Sequence, residues 1–175
     1  MGDPAWLADH IRDIPDFPRP GIVFRDITPL LADAVAFATT VDALVEHVGG
    51  RRVDKVLGIE ARGFILAAPV AYRLSAGFVP VRKAGKLPGP VEAQGYQLEY
   101  GTDHLEIHND GLVPGEQVLV VDDVLATGGT AAAAAGLVEK LGASVAGLSF
   151  VIELDFLQGR SRLPGREVMS LLHYA

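Results

Sequence analysis

The densest concentration of chemistry in the chain is the segment QVLVVDDVLATGGT, residues 117–130. An apolar run leads to Asp122 and Asp123, then to a turn through Ala126, Thr127, Gly128 and Gly129, and Thr130 opens a helical stretch. In an open α/β sheet this order places a strand end, a ligand loop and a helix N-terminus in one space. The two glycines permit close backbone approach, and Thr127 and Thr130 add hydroxyl donors, so the turn suits a phosphate. Carboxylates beside a phosphate repel it unless they serve another part of the same ligand. A ribose diol fits that need, because two acceptors can bind vicinal hydroxyls and favour positive charge developing at the sugar carbon. A solvated strand end followed by a turn is the plain alternative.

Other chemistries are narrowed by what the chain lacks. No lysine follows the glycines, as a nucleotide-triphosphatase loop requires, and GxGxxG, GxSxG and HExxH are absent. With no cysteine there is no disulfide framework, thiolate catalyst or cysteine-held metal. A net charge of -7 argues against general binding to nucleic-acid backbones or anionic membranes. It does not exclude a small polyanion, which feels local amides and cations more than a total charge screened beyond about 8–10 Å. His104, Glu106 and His108 share a strand face at a spacing open to a metal, although an exposed hairpin face explains the same pattern.

The elements that must position these groups follow from periodicity. In 175 residues, 49% hydrophobic and 21% charged, a single folded domain is expected. Leu7, Ile11 and Ile14 predict a short amphipathic helix over residues 5–14, with Asp3 as a possible cap. Pro15, Pro18, Pro20 and Gly21 then deliver an extended chain to GIVFRDITP. Phe37, Val41, Leu44, Val45 and Val48 mark a second helix ending at Gly49 and Gly50. Strand and helix then alternate over residues 55–60, 63–74, 77–82, 117–124, 130–141 and 144–154, which predicts an α/β fold with a mostly parallel central sheet flanked by helices. The nearly continuous runs VLGI and VLVV suit strands covered on both faces. Residues 84–95 are rich in Gly and Pro and precede YQLEY and HLEIH, joined by residues 101–103, which reads as a mobile loop ending in a hairpin. The apolar stretch 63–70 is interrupted by Pro69 and then Arg73, far short of the roughly 20 residues of a membrane span. Asp3 and Asp9 near the start do not read as a secretory signal, so a cytoplasmic protein is expected.

The segment 117–130 resembles the PRPP-binding motif of type I phosphoribosyltransferases: apolar residues, two acids, then T-G-G-T. VFRDITPLL, RKAGKLPGP and YQLEYGTDHLEIH narrow the resemblance to the adenine phosphoribosyltransferase family, and together these segments cover nearly the whole chain. Enzymes for 6-oxopurines usually carry an aspartate where this chain has Ala126. Residues 155–175 are the least diagnostic.

The resemblance implies the type I phosphoribosyltransferase fold, with a base-binding hood over about residues 1–33 and a flexible hairpin lid over about 84–108. It implies that Asp122 and Asp123 hold the ribose and that Ala126, Thr127, Gly128, Gly129 and Thr130 hold the 5'-phosphate. Val23, Phe24 and Arg25 match the adenine pocket, where Phe24 can stack and backbone groups can read the purine edge; taken alone, Phe24 is better explained as a core residue. Arg62, Arg82, Lys83 and Lys86 match cations that meet pyrophosphate, sometimes from a neighbouring subunit, which implies a homodimer. The resemblance implies a catalytic role for Arg62 as well. Glu99 matches a glutamate suspected of handling the purine proton, and Tyr100 beside it a lid residue. Without the resemblance, the loop cations read as a solvated face and Glu99 as an outward strand carboxylate.

The implied reaction transfers the 5-phosphoribosyl group of PRPP to adenine, giving AMP and pyrophosphate in purine salvage. Mg2+ is expected to arrive bound mainly through PRPP, with no dedicated protein cage. The competing readings are a phosphoribosyltransferase for another purine, a PRPP-sensing regulator of the same fold, and a plain nucleotide-binding domain.

Overall fold

In a computed structural model, residues 4–97 and 102–175 are described. Seven strands form one sheet in the order β5-β6-β4-β3-β7-β8-β9. Its centre is parallel: β3 (Lys55–Ile59) lies between β4 (Gly77–Lys83) and β7 (Gln117–Leu125), and β8 (Ser144–Leu154) and β9 (Val168–Tyr174) follow in parallel. The hairpin of β5 (Val91–Gln97) and β6 (Thr102–His108) joins antiparallel at the β4 edge. The sheet is thus mostly parallel, as expected from the alternation.

Strand faces alternate between two cores. Leu57, Val118 and Val120 pack beneath α4 (Gly129–Lys140). Val56, Leu119 and Val121 pack under α1 (Thr28–Ala32), α2 (Ala34–His47) and α3 (Arg62–Leu74). Asp33 caps α2 by accepting the amides of Val35 and Ala36 at 2.9 and 2.8 Å. Burial on both faces explains why the central strands read as unbroken apolar runs. From β3 the chain crosses by α3 to one neighbour, and from β7 by α4 on the opposite face to the other. The crossovers diverge between β3 and β7, opening a crevice beyond their carboxyl ends.

Three boundaries differ from the sequence expectation. The first helix is a 3-10 helix, Pro4–His10, and the chain then forms β1 (Arg12–Pro15), antiparallel to β2 (Val23–Asp26) with Ile14 opposite Phe24. Leu7 keeps its core place, but strand pairing claims Ile14. The Gly- and Pro-rich stretch is shorter than residues 84–95, because Val91 to Gly95 already pair with β6. The edge strand β9 has no clear alternation and was not anticipated; its burial is intermediate along most of its length.

Candidate active site

At the carboxyl end of β7, Asp122 and Asp123 are 8% and 5% exposed. Oδ1 of Asp122 accepts the Asp123 amide at 2.9 Å. Burial, and then the neighbouring Asp123 charge, push the Asp122 carboxyl well above its usual value. Gly63 allows this arrangement: a Cβ there would stand 2.7 Å from Asp122 Oδ1 and 3.0 Å from the Val121 carbonyl. The first turn of α3 therefore lies against the acid pair.

Beyond the acids, Ala126, Thr127, Gly128 and Thr130 line a recess of about 70 Å³, and Gly129 begins α4. Gly128, at φ +78°, precedes that helix. An L side chain at this angle is unfavourable, and a Cβ would also meet the Gly159 backbone. The amides at the start of α4 give the recess the polarity that suits an anion.

The recess adjoins a larger cavity of about 450 Å³. Glu60, Arg62, Lys83 and Tyr96 line it together with Asp122, Asp123 and Thr130. Arg62, at the start of α3, donates from Nε to Asp123 Oδ2 at 2.5 Å, and its guanidinium carbon lies 5.0 Å from the centre of the Phe24 ring. Phe24 meets Phe17 edge-on at 5.3 Å. The β1-β2 hairpin thereby brings its aromatic residue to the cavity's arginine. Val23 is exposed, whereas the Arg25 side chain is engaged elsewhere, pairing with Asp13 and lying 4.1 Å over the Tyr174 ring.

The loop cations converge on Glu60. Its carboxylate accepts from Lys86 Nζ at 2.7 Å, the Lys83 amide at 2.9 Å and Arg82 Nη2 at 3.2 Å. Burial alone would raise this carboxyl, but the three hydrogen bonds and the Arg82 charge outweigh it and hold it down to about 2. The peptide joining Glu60 to Ala61 is cis. The Lys83 ammonium lies 3.2 Å from Asp103, which also accepts from the Tyr96 hydroxyl at 3.1 Å. With Arg62 on Asp123, all four of the expected cations are therefore held by acids.

Glu60, Asp103 and Tyr96 had no role assigned from sequence. Glu60 carried one usable signal, its place at a strand end directly before Ala61 and Arg62. Glu99 and Tyr100 lie outside the described residues. His104, Glu106 and His108 do not form a ligand cluster: Glu106 accepts the Gly85 amide at 2.9 Å, and the group of metal-capable side chains found among the described residues is Glu153, Asp155 and His173.

The chain that carries this acid pair, glycine turn and arginine matches a known family. The profile for the phosphoribosyl transferase domain matches residues 29–164. An adenine phosphoribosyltransferase of Acidothermus cellulolyticus is 64% identical over 95% of this chain and 94% of its own length. The chain belongs to the adenine phosphoribosyltransferase family. The crystal structure of the family member from Thermoanaerobacter pseudethanolicus superposes with a TM-score of 0.94 at 52% identity, covering 96% of this chain and 98% of that one. The Saccharomyces cerevisiae enzyme, crystallised with an imino-altritol bisphosphate and adenine, gives 0.90 at 44% identity, covering 95% and 96%. These likenesses establish the type I phosphoribosyltransferase fold for this member of the adenine phosphoribosyltransferase family.

Proposed function

We propose that the protein transfers the 5-phosphoribosyl group of PRPP to adenine, giving AMP and pyrophosphate. The observation that carries this reading is the continuity of the site. The buried acids Asp122 and Asp123, the turn at residues 126–130 and Arg62 open on adjoining spaces of about 70 and 450 Å³, which suit a sugar phosphate bearing a pyrophosphate together with a base. A yeast relative crystallised with adenine supports the choice of base.

In this account, Ala126, Thr127, Gly128, Gly129 and Thr130 hold the 5'-phosphate through amides and hydroxyls, and Asp122 and Asp123 accept the ribose hydroxyls. Arg62, Arg82, Lys83 and Lys86 receive pyrophosphate, exchanging their present carboxylate partners for its oxygens. Phe24 stacks on adenine, with Val23 and Arg25 offering backbone groups to its edge; the occupied Arg25 side chain supports a backbone role. Glu99 takes the purine ring proton, so that N9 can bond to C1' as the C1'-pyrophosphate bond breaks. Tyr100 closes with the lid to keep water from the oxocarbenium-like sugar.

Mg2+ belongs to this reading as an ion carried by PRPP. The carboxylate oxygens of Glu60, Asp122 and Asp123 around the cavity are a donor set compatible with it. When bound, the ion offsets charge on the departing pyrophosphate. We assign the hood to residues 1–33, the lid to 84–108 and one domain to the whole chain. The exposed apolar residues Ile65, Tyr72 and Phe78 support a homodimer. Phosphorylated substrates, which membranes retain, support a cytoplasmic setting.

The test is to offer magnesium-PRPP with adenine, hypoxanthine, guanine, xanthine or orotate and to follow nucleotide and pyrophosphate. AMP and pyrophosphate in equal amounts from adenine alone are expected. Turnover of another base in its place would reassign the substrate, and no turnover of any base would favour a regulator.

A further inference from the structure

Glu153, near the end of β8, is a buried carboxylate with no part in the roles above; it is 4% exposed. Arg160 forks onto it, with Nε 2.7 Å from Oε1 and Nη2 2.8 Å from Oε2. The Ser170 hydroxyl donates to Oε2 at 2.7 Å, and Arg160 Nη1 donates to the Val168 carbonyl at 2.8 Å. Arg160 is thereby fixed to β8 and β9 together.

The residue before it is Gly159, whose backbone touches the sugar-phosphate turn. A Cβ on Gly159 would stand 3.1 Å from the Gly128 amide nitrogen and within contact of the Ala126 carbonyl; one on Gly128 would stand 3.0 Å from the Gly159 carbonyl carbon. The two backbones pack with no room for a side chain between them.

We propose that Glu153, Arg160 and Ser170 are positioning residues for the 5'-phosphate turn: by locking Arg160 onto the two strands, they fix Gly159 as the floor beneath residues 126–128. Glu153 is buried while Arg160 reaches it from a side chain 45% exposed; such a pair gives little net stability, but it fixes geometry, and removal of Arg160 leaves the buried Glu153 charge uncompensated. The turn must offer its amides in a defined direction, and its other side is the open recess. Asp155 and His173 lie close to Glu153, with His173 Nδ1 3.0 Å from Asp155 and 3.9 Å from Glu153. Because Arg160 already occupies both Glu153 oxygens, this cluster is better suited to holding the arginine than to holding a metal.

The inference rests on the proposed transferase reading, so wild-type AMP formation is measured first and its absence would count against that reading alone. Binding of ribose 5-phosphate and of pyrophosphate is then measured separately for wild type, Arg160→Gln, Arg160→Lys and Ser170→Ala. Arg160→Gln is expected to weaken ribose 5-phosphate and raise the KM for PRPP by about ten- to a hundredfold, the scale of a small misplacement. Pyrophosphate affinity, and the KM for adenine at saturating PRPP, should stay within about twofold, and Arg160→Lys should fall between. Should Arg160→Gln not fold, Ser170→Ala applies the same criterion with a smaller expected loss. Unchanged ribose 5-phosphate affinity in a folded variant, or equal weakening of ribose 5-phosphate and pyrophosphate, would overturn the proposal.

Discussion

Arg62 spans the candidate site, its Nε 2.5 Å from Asp123 and its guanidinium carbon 5.0 Å from the centre of the Phe24 ring. One planar cation therefore touches both Asp123 of the acid pair and the aromatic residue of the β1-β2 hairpin. A lysine keeps the charge but not the fork. Arg62→Lys is expected to raise the KM for PRPP and lower kcat, each by about tenfold, in steady-state assays. Wild-type constants in this variant would remove Arg62 from the reacting end of the substrate.

On the proposed reading, Asp122 trades stability for binding. Its carboxyl is raised above the usual value by burial and by Asp123, so its stabilising contribution is present at low pH and is lost as pH rises through its folded value. Asp122→Asn relieves that repulsion and keeps an oxygen for the Asp123 amide. The variant should melt about 2–4 °C higher than wild type near pH 7.5, the effect of about 1 kcal/mol in a chain of this size. The gain should vanish near about pH 4, where the wild-type group is protonated. PRPP binding should weaken near pH 7.5, and the difference from wild type should shrink near about pH 4.

Glu60 behaves in the opposite sense. Held down to about 2 by its hydrogen bonds, it adds stability that is fully present above the ordinary carboxylate value and is lost as pH falls through about 2. Denaturant unfolding should show Glu60→Gln less stable than wild type at pH 7, with the gap closing toward pH 2. A gap that is constant with pH would mean that the charge of Glu60 does not organise Arg82 and Lys86.

Much of the site could be read directly because its parts are contiguous. Asp122, Asp123 and the turn to Thr130 occupy nine successive residues, and a strand feeding a helix through glycines has few other structural solutions. Glu60 gave less away, since its partners Arg82 and Lys86 stand 22 and 26 residues along the chain and meet it only through the pairing of β3 with β4. The role of Gly159 depends on a backbone contact with Gly128 that composition does not encode. At the N-terminus, Leu7, Ile11 and Ile14 fit a helical period, yet the partner strand 23–26 lies just beyond the proline turn and its ladder decides the outcome. β9 escaped notice because an edge strand of mixed burial carries no clean alternation.

Glu99 belongs to the chemical step in this account and not to PRPP binding. Glu99→Gln should lower kcat by about a hundredfold or more while leaving the PRPP dissociation constant within about twofold. Equal losses in both would recast it as a binding residue.

On the proposed reading, the turn following Asp122 and Asp123 grips the sugar phosphate. A crystal structure of the protein with AMP tests it most directly. The account predicts the 5'-phosphate on the amides and hydroxyls of residues 126–130, the ribose hydroxyls on Asp122 and Asp123, and the adenine beside Phe24. A nucleotide bound at another place, with that turn empty, would contradict it.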